Sequence, residues 1–251
     1  MRNLVLTVNI NKGGGHQLPL FTTSVSRAKQ YALKVGADFI CVEDEGAFPG
    51  FQPTWQRFAL FTDPYKKYDN ILYLDSDLIL TKFTPNIFDM MMQHDASAFA
   101  SIDYEHIPAR RYTGYFNAGL FALKRSWIDL WDMQEVQVRM SKWKNKSHMD
   151  QCCLNEMVKD TCNGYVNLGR CWNTMTSNLE TFPIVYGAHY IHYHKTKFDL
   201  LRLQQYEQAD RETPPQEEFF MFPEWWKEYD FHDILAMEAD YNNIQMRHVN
   251  D

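Results

Sequence analysis

The chain has 251 residues, 45% of them hydrophobic and 23% charged, the composition of a folded protein with one large domain, and not that of a disordered or collagen-like chain. No run of about 18 apolar residues is available to span a bilayer. The formal charge of −7 is concentrated: residues 206–240 carry eleven Asp or Glu against two Lys or Arg, so the remainder is nearly neutral and lacks the basic face that duplex nucleic acid requires.

The first apolar run, Leu4 to Ile10, reads as a buried strand and is too short for a signal-peptide core. A Gly13-Gly14-Gly15 loop follows, without the Gly-Lys-Ser/Thr ending of a phosphate-binding P-loop. Helical spacing from Pro19 to Val35 ends at Gly36, where a C-terminal cap glycine belongs, and Asp38 to Val42 reads as a second strand. Strand, helix, strand is the opening of a parallel α/β layer. After a Pro- and Gly-containing loop, Thr54 to Phe61 is amphipathic, and Ile71 to Leu74 is the most hydrophobic strand of the chain.

A Thr-Pro step and a Met-rich helical run follow within residues 79–95; Ala96 to Ile102 and Gly114 to Leu123 read as strands. Ser126 to Lys142 and the stretch from His148 have helical periodicity, and Tyr165 to Leu168 and Ile184 to His194 are the last strand candidates. The tail holds Phe219, Phe220, Phe222, Trp225 and Trp226 among acids and is expected to pack on the body. Residues 1–200 are thus expected to form the binding and catalytic domain, and 201–251 an acidic, aromatic helical tail. Five cysteines with no disulfide or zinc spacing, and no leader, give the expectation of reduced thiols in a soluble cytoplasmic protein.

The chemistry concentrates at Asp75-Ser76-Asp77, two carboxylates inside the apolar segment YLDSDLIL. Burying unpaired carboxylates is costly, so such a pair calls for a cation or ordered donors beside it. In extended backbone, residues i and i+2 face the same way, which lets both aspartates address one ion. Hard oxygen ligands suit Mg2+ or Mn2+ with positions open to phosphate oxygens. A strand end is also where open α/β sheets bind ligands. A turn or helix cap by either aspartate is the plainer alternative.

With these residues the sequence resembles the glycosyltransferases of the GT-A fold, most closely the retaining, glycogenin-like group. Tyr73 to Asp77 matches the strand end whose Asp-x-Asp holds a cation on a nucleotide-sugar diphosphate. Four further blocks fall in the family's order. Trp55-Gln56-Arg57-Phe58 resembles the stretch carrying a basic residue near the donor, Phe116-Asn117-Ala118-Gly119 the segment whose Asn contacts the donor sugar, and Asp150-Gln151 the pair near the anomeric carbon. Ile191-His192-Tyr193 resembles the late segment supplying a third metal ligand. The family's form of that segment, His-x-x-Gly-x-x-Lys-Pro-Trp, is altered here to HYIHYHKTKFD. His192 is preferred for its apolar and aromatic neighbours, with His189 as the alternative, for which Lys195 has the family's spacing.

The resemblance implies an α/β GT-A (Rossmann-like) fold with a central mixed, mainly parallel sheet flanked by helices. It also implies transfer of a sugar from a nucleotide-sugar, UDP-linked by analogy, to a glycan, small-molecule or protein acceptor with retention of configuration. Asp75, Asp77 and His192 would hold Mn2+ or Mg2+. Asn9, Arg57, Ser76, Asn117, Ala118, Lys195 and Lys197 would line the donor site, and Asp150 and Gln151 would face the reacting carbon. A metal-dependent phosphohydrolase would use the same aspartates but leaves Asn117-Ala118-Gly119 unexplained; a non-catalytic sugar-binding relative leaves Asp150 unexplained.

Overall fold

A computed structural model describes residues 1–10, 19–102, 115–144, 149–161, 165–176, 179–182, 184–190 and 192–209. The Gly13 to Gly15 loop, Cys162, and the tail from residue 210 with its aromatic run lie outside the described residues.

Six strands form the main sheet in the order β2-β1-β3-β6-β5-β7: β1 (Asn3–Val8), β2 (Asp38–Val42), β3 (Asn70–Asp75), β5 (Ala98–Ile102), β6 (Phe116–Lys124) and β7 (Val166–Asn167). β1 runs parallel to β2 and β3, and β5 parallel to β7, while β6 is antiparallel to both β3 and β5. The sheet is therefore mixed with parallel pairs in the majority. A second sheet of three short strands, β4 (Leu78–Leu80), β9 (Gly187–His189) and β8 (Thr174–Met175), begins two residues after β3 ends. The chain passes from one sheet to the other through Ser76 and Asp77.

Because side chains alternate along a strand, β1 and β3 feed two cores. Leu4, Leu6, Ile71 and Tyr73 face one side, where they meet Trp55, Phe58, Phe61, Trp127 and residues of α4 (Met133–Trp143) and α5 (Met149–Thr161). Val5, Leu72 and Leu74 face the other, against α1 (Pro19–Lys34) and α2 (Ile87–Gln93). The first core is rich in aromatic side chains. There, rings run in contact from Phe48 through Phe51, Trp55, Phe58, Phe61 and Trp127 to Trp131.

Gly36 adopts φ +68 behind α1 and lets the Ala37 N–H donate to the Ala32 carbonyl at 2.9 Å, the capping expected of it. The Thr54 to Phe61 stretch forms a 3-10 helix over Pro53–Phe61. The expected single helix from Ser126 to Lys142 is two: α3 (Arg125–Ile128) and α4, which restarts where the Asp132 carboxylate accepts from the Glu135 N–H at 2.8 Å. The expected strand from Ile184 to His194 shortens to β9, whose partner β4 is only three residues long; the Tyr190 N–H makes the last bond of that ladder, to the Asp77 carbonyl (2.9 Å), and a 3-10 turn over His192–Lys197 follows.

α6 (Leu200–Gln208) lays Leu203 and Tyr206 on a third core with Leu20, Ile79, Val185 and Tyr190. Its buried Glu207 accepts from Arg27 of α1 at 2.5 Å and from the Lys82 N–H at 2.7 Å, so the helix is tied to the body at both neighbours of the small sheet. Among the described residues no helix is long and apolar enough to cross a membrane, and Cys41, Cys152, Cys153 and Cys171 form no disulfide.

Gly187 starts β9 with its α-carbon against the Trp172 carbonyl oxygen, where an added Cβ would overlap. Overpacking of this kind costs about 1–3 kcal/mol. Gly187→Ala is therefore expected to lower stability by that amount in urea titration, with an unchanged m-value.

Candidate active site

The site sits at the carboxyl ends of β1 and β3, in a cleft of about 210 Å³. Its apolar wall is Val8, Ile10, Phe21 and Pro53; Thr54, Ser76, Asp75, Asp77 and Lys195 supply the polar one. Asn9 lies between the two ends of that wall in sequence, its N–H bonded to the Val42 carbonyl at 2.8 Å.

Behind the lining residues Asp75 and Thr54 lies Arg57, 4% exposed. Its guanidinium contacts Asp75 Oδ1 at 3.0 Å and Asp150 Oδ2 at 3.1 Å, donates to the carbonyls of Ala118 (2.7 Å) and Thr54 (2.9 Å), and stacks 4.9 Å over the Tyr73 ring. Burial works against its charge, but Asp150 and Asp75 outweigh that and hold it above the ordinary arginine range. The residue expected from the sequence to line the donor site is thus surrounded by protein acceptors, and it joins the two acidic positions. Tyr73, on the same face of β3 as Asp75, donates its hydroxyl to Asp75 Oδ1 at 2.7 Å. Burial raises the Asp75 carboxyl and Arg57 pulls it back only partly.

Asp77 faces the small sheet. His189 Nε2 lies 3.1 Å from Asp77 Oδ1 and 3.9 Å from Asp75 Oδ2, and Lys195 Nζ lies 2.7 Å from Asp77 Oδ2. Burial would raise this carboxyl, but His189 and Lys195 hold it below the usual carboxylate range. One donor atom each from Asp75, Asp77 and His189 fall within 4.8 Å of one another. Two hard oxygens and an imidazole nitrogen, with a lysine ammonium already drawn to the same carboxylate, fit a small divalent cation of the Mn2+ or Mg2+ type. His192 opens the 192–197 turn, and its side chain lies outside the described residues. Among the described residues the histidine brought to the aspartates is His189, and the signal that marks it in the sequence is its spacing to Lys195. Lys197 ends the same turn on the exposed side.

The Asn117-Ala118-Gly119 block owes its form to a bulge. Between the pairs Ala100↔Phe121 and Ile102↔Phe116, β5 advances by two residues (100 to 102) and β6 by five (121 to 116), leaving three extra in β6. The backbone groups this frees find other partners: the Ala118 N–H donates to Gln151 Oε1 (3.0 Å), the Ala118 carbonyl accepts from Arg57, and the Gly119 N–H donates to Asn117 Oδ1 (2.8 Å). Buried Asn155, which the sequence reading passed over, accepts from the Phe116 N–H (3.0 Å) and donates to the carbonyls of Phe116 and Gln151 (both 2.9 Å), binding α5 to the bulge. Asp150 and Gln151 stand in the first turn of that helix.

This combination, a mixed sheet with aspartates leaving the end of its central strand, is the GT-A fold of glycosyltransferases. Among solved structures, the glycosyltransferase involved in glycosylation of the major capsid of PBCV-1 matches with a TM-score of 0.59 at 13% identity, over 83% of this chain and 100% of that one. An active-site mutant of LgtC matches with a TM-score of 0.52 at 15% identity, over 89% and 99%. Apo GlyE of Streptococcus pneumoniae TIGR4 gives 0.52 at 21%, over 84% and 61%. No curated protein matches the chain in sequence. The profile of glycosyl transferase family 8 matches residues 52–198, more than half of the chain, and the protein belongs to that family. The matched span holds every site residue named above except Asn9 and those of the apolar wall before Gln52.

Removing one member of a buried ion pair strands its partner's charge, at a cost of about 3–5 kcal/mol. Arg57→Met is expected to lose stability on that scale in denaturant titration. Arg57→Lys is expected to recover only part of it, since one ammonium cannot reach Asp75, Asp150 and the Ala118 carbonyl together.

Proposed function

We propose that this family 8 glycosyltransferase moves a sugar from a nucleoside diphosphate sugar, UDP-linked by its resemblance to the glycogenin-like group, to a hydroxyl acceptor with retention of configuration. A divalent cation held by Asp75, Asp77 and His189 serves the reaction. The observation that carries the reading is the convergence of these three donor atoms beside the cleft at the end of β3.

Glycosyl transfer builds negative charge on the departing diphosphate and positive charge on the sugar ring. When bound, the cation neutralises diphosphate oxygens. Lys195, whose ammonium reaches the same corner of the cleft, adds a second positive charge and can move from Asp77 to a phosphate oxygen. Asp150 is oriented by Arg57, and Gln151 by the Ala118 N–H that engages its oxygen, which leaves the Gln151 amide NH2 for a ligand. These two groups orient the sugar and stabilise its developing charge. The apolar wall of Val8, Ile10, Phe21 and Pro53 suits the flat face of a nucleobase.

The test is a donor screen with UDP-, GDP- and dTDP-sugars in Mn2+, in Mg2+ and in chelator. Nucleoside diphosphate is expected to be released from a UDP-sugar only with metal, and Asp77→Ala is expected to reduce release at least 100-fold while remaining folded. Release of inorganic phosphate from simple phosphoesters, with no donor turned over, would replace this reading with a phosphohydrolase.

A further inference from the structure

His189 can address a cation through Nε2 in a defined ring form only if something fixes the hydrogen on Nδ1, and the structure contains a chain of contacts that does so. His189 Nδ1 lies 3.0 Å from Asn173 Oδ1, Asn173 Nδ2 lies 3.0 Å from Asn117 Oδ1, and the Gly119 N–H lies 2.8 Å from that same Asn117 oxygen. The chain can be read in one direction only. A backbone N–H donates and never accepts, so the Asn117 atom facing Gly119 is the carbonyl oxygen. Two amide oxygens would repel, so Asn173 turns its NH2 toward Asn117. Its own oxygen then faces His189, and an oxygen without a hydrogen obliges Nδ1 to be the donor. Amide and ring orientations that are otherwise a choice are set here by a single peptide N–H.

We infer that Asn173, held by Asn117 and the β6 bulge, is a positioning residue that keeps the hydrogen of His189 on Nδ1 and so reserves Nε2 for the cation between Asp75 and Asp77. Several features of the fold agree with this role. Asn173 is 5% exposed and His189 3%, so water is a poor substitute partner for either. Asn173 sits at the turn entering β8, which pairs in parallel with β9 through Met175↔His189, so ring and amide ride on adjacent strands. The ring edge rests on Gly119, where a Cβ would overlap Cε1, so glycine is required at that position for the ring to reach Asn173. The Asn117-Ala118-Gly119 block therefore has a task apart from sugar contact. Asn117 anchors the amide chain, and Gly119 gives both the anchoring N–H and the space. Asp77 Oδ1, 3.1 Å from Nε2, competes for a hydrogen on that side; without the Asn173 oxygen nothing would hold one on Nδ1, and a neutral ring would carry its hydrogen on Nε2, the nitrogen that a cation needs bare.

The relay stands on hydrogen-bond geometry, and its consequence for the cation rests on the proposed metal role of His189. Protein labelled with 15N in its histidine rings separates the two. Long-range 1H–15N correlation spectra of the metal-free protein, with His189→Gln to identify the resonances, are expected to show Nδ1 of His189 bearing hydrogen. In Asn173→Ala that hydrogen is expected to leave Nδ1. In Asn173→Asp, which keeps an acceptor at the same place, it is expected to remain. Losing a partner of a ligating histidine costs about 10–100-fold in metal affinity. Mn2+ titration followed by electron paramagnetic resonance is expected to show that loss for Asn173→Ala and recovery of most of it for Asn173→Asp. A bare Nδ1 in the wild type, or an unchanged Nδ1–H signal in Asn173→Ala, would overturn the inference. Failure of wild type to bind Mn2+, with the spectra as expected, would remove the metal reading and leave the relay standing.

Discussion

The site depends on one buried cation. Arg57 is enclosed by an aromatic core on one side and by two aspartates on the other, and a guanidinium in that position is tolerable only while its donors are all engaged. Besides the Thr54 carbonyl of its own helix, its partners come from three separate parts of the chain: the end of β3, the first turn of α5 and the bulge of β6. They are the same parts that contribute the acidic, amide and backbone groups which meet at Arg57 and Gln151. The desolvation of Arg57 is thus offset by contacts that also fix the relative positions of Asp75, Asp150 and Ala118. Pre-organisation of this kind lets a site meet developing charge without rearranging at the moment of reaction.

The β6 bulge plays the complementary part for neutral groups. A regular strand would commit the amides of residues 117–119 to the ladders with β3 and β5. The three inserted residues release them, and Gln151, Arg57 and the Asn117 side chain take them up. Asn155 closes the arrangement from α5 by occupying both backbone groups of Phe116. Breaking the regularity of the sheet here converts ladder hydrogen bonds into contacts that orient side chains.

Much of this was legible in the sequence because it follows from local pattern. The apolar runs that became β1, β2 and β3 could be read from their composition, α1 from its spacing and Gly36, and the Asp75-Ser76-Asp77 pair from its unusual apolar setting. What was not legible depends on long-range pairing. The strand expected through His194 stops at His189 because its partner β4, more than a hundred residues away in the chain, is three residues long and gives way at Asp77 to the joint with β3. β8 is two residues long and carries no period at all. Arg57 reads as a surface-seeking base near a ligand until the fold encloses it. Asn173 and Asn155 have no motif to single them out, since an asparagine in a turn and one in a helix are ordinary, and their significance lies entirely in which atoms they meet.

The passage of the chain from the six-stranded sheet to the three-stranded one through Ser76 and Asp77 has a mechanical meaning. Asp75 closes a strand of the large sheet, His189 closes a strand of the small one, and Asp77 belongs to the two-residue joint between them. An ion gripping all three would act as a rivet across that joint. The small sheet also carries the Lys195 turn and α6, so whatever stiffens the joint sets how firmly one wall of the cleft is fastened to the other. Occupancy of the site and rigidity of the cleft would then be one variable, and an emptied protein would keep its large sheet intact while the small sheet and its attached turn moved more freely against it.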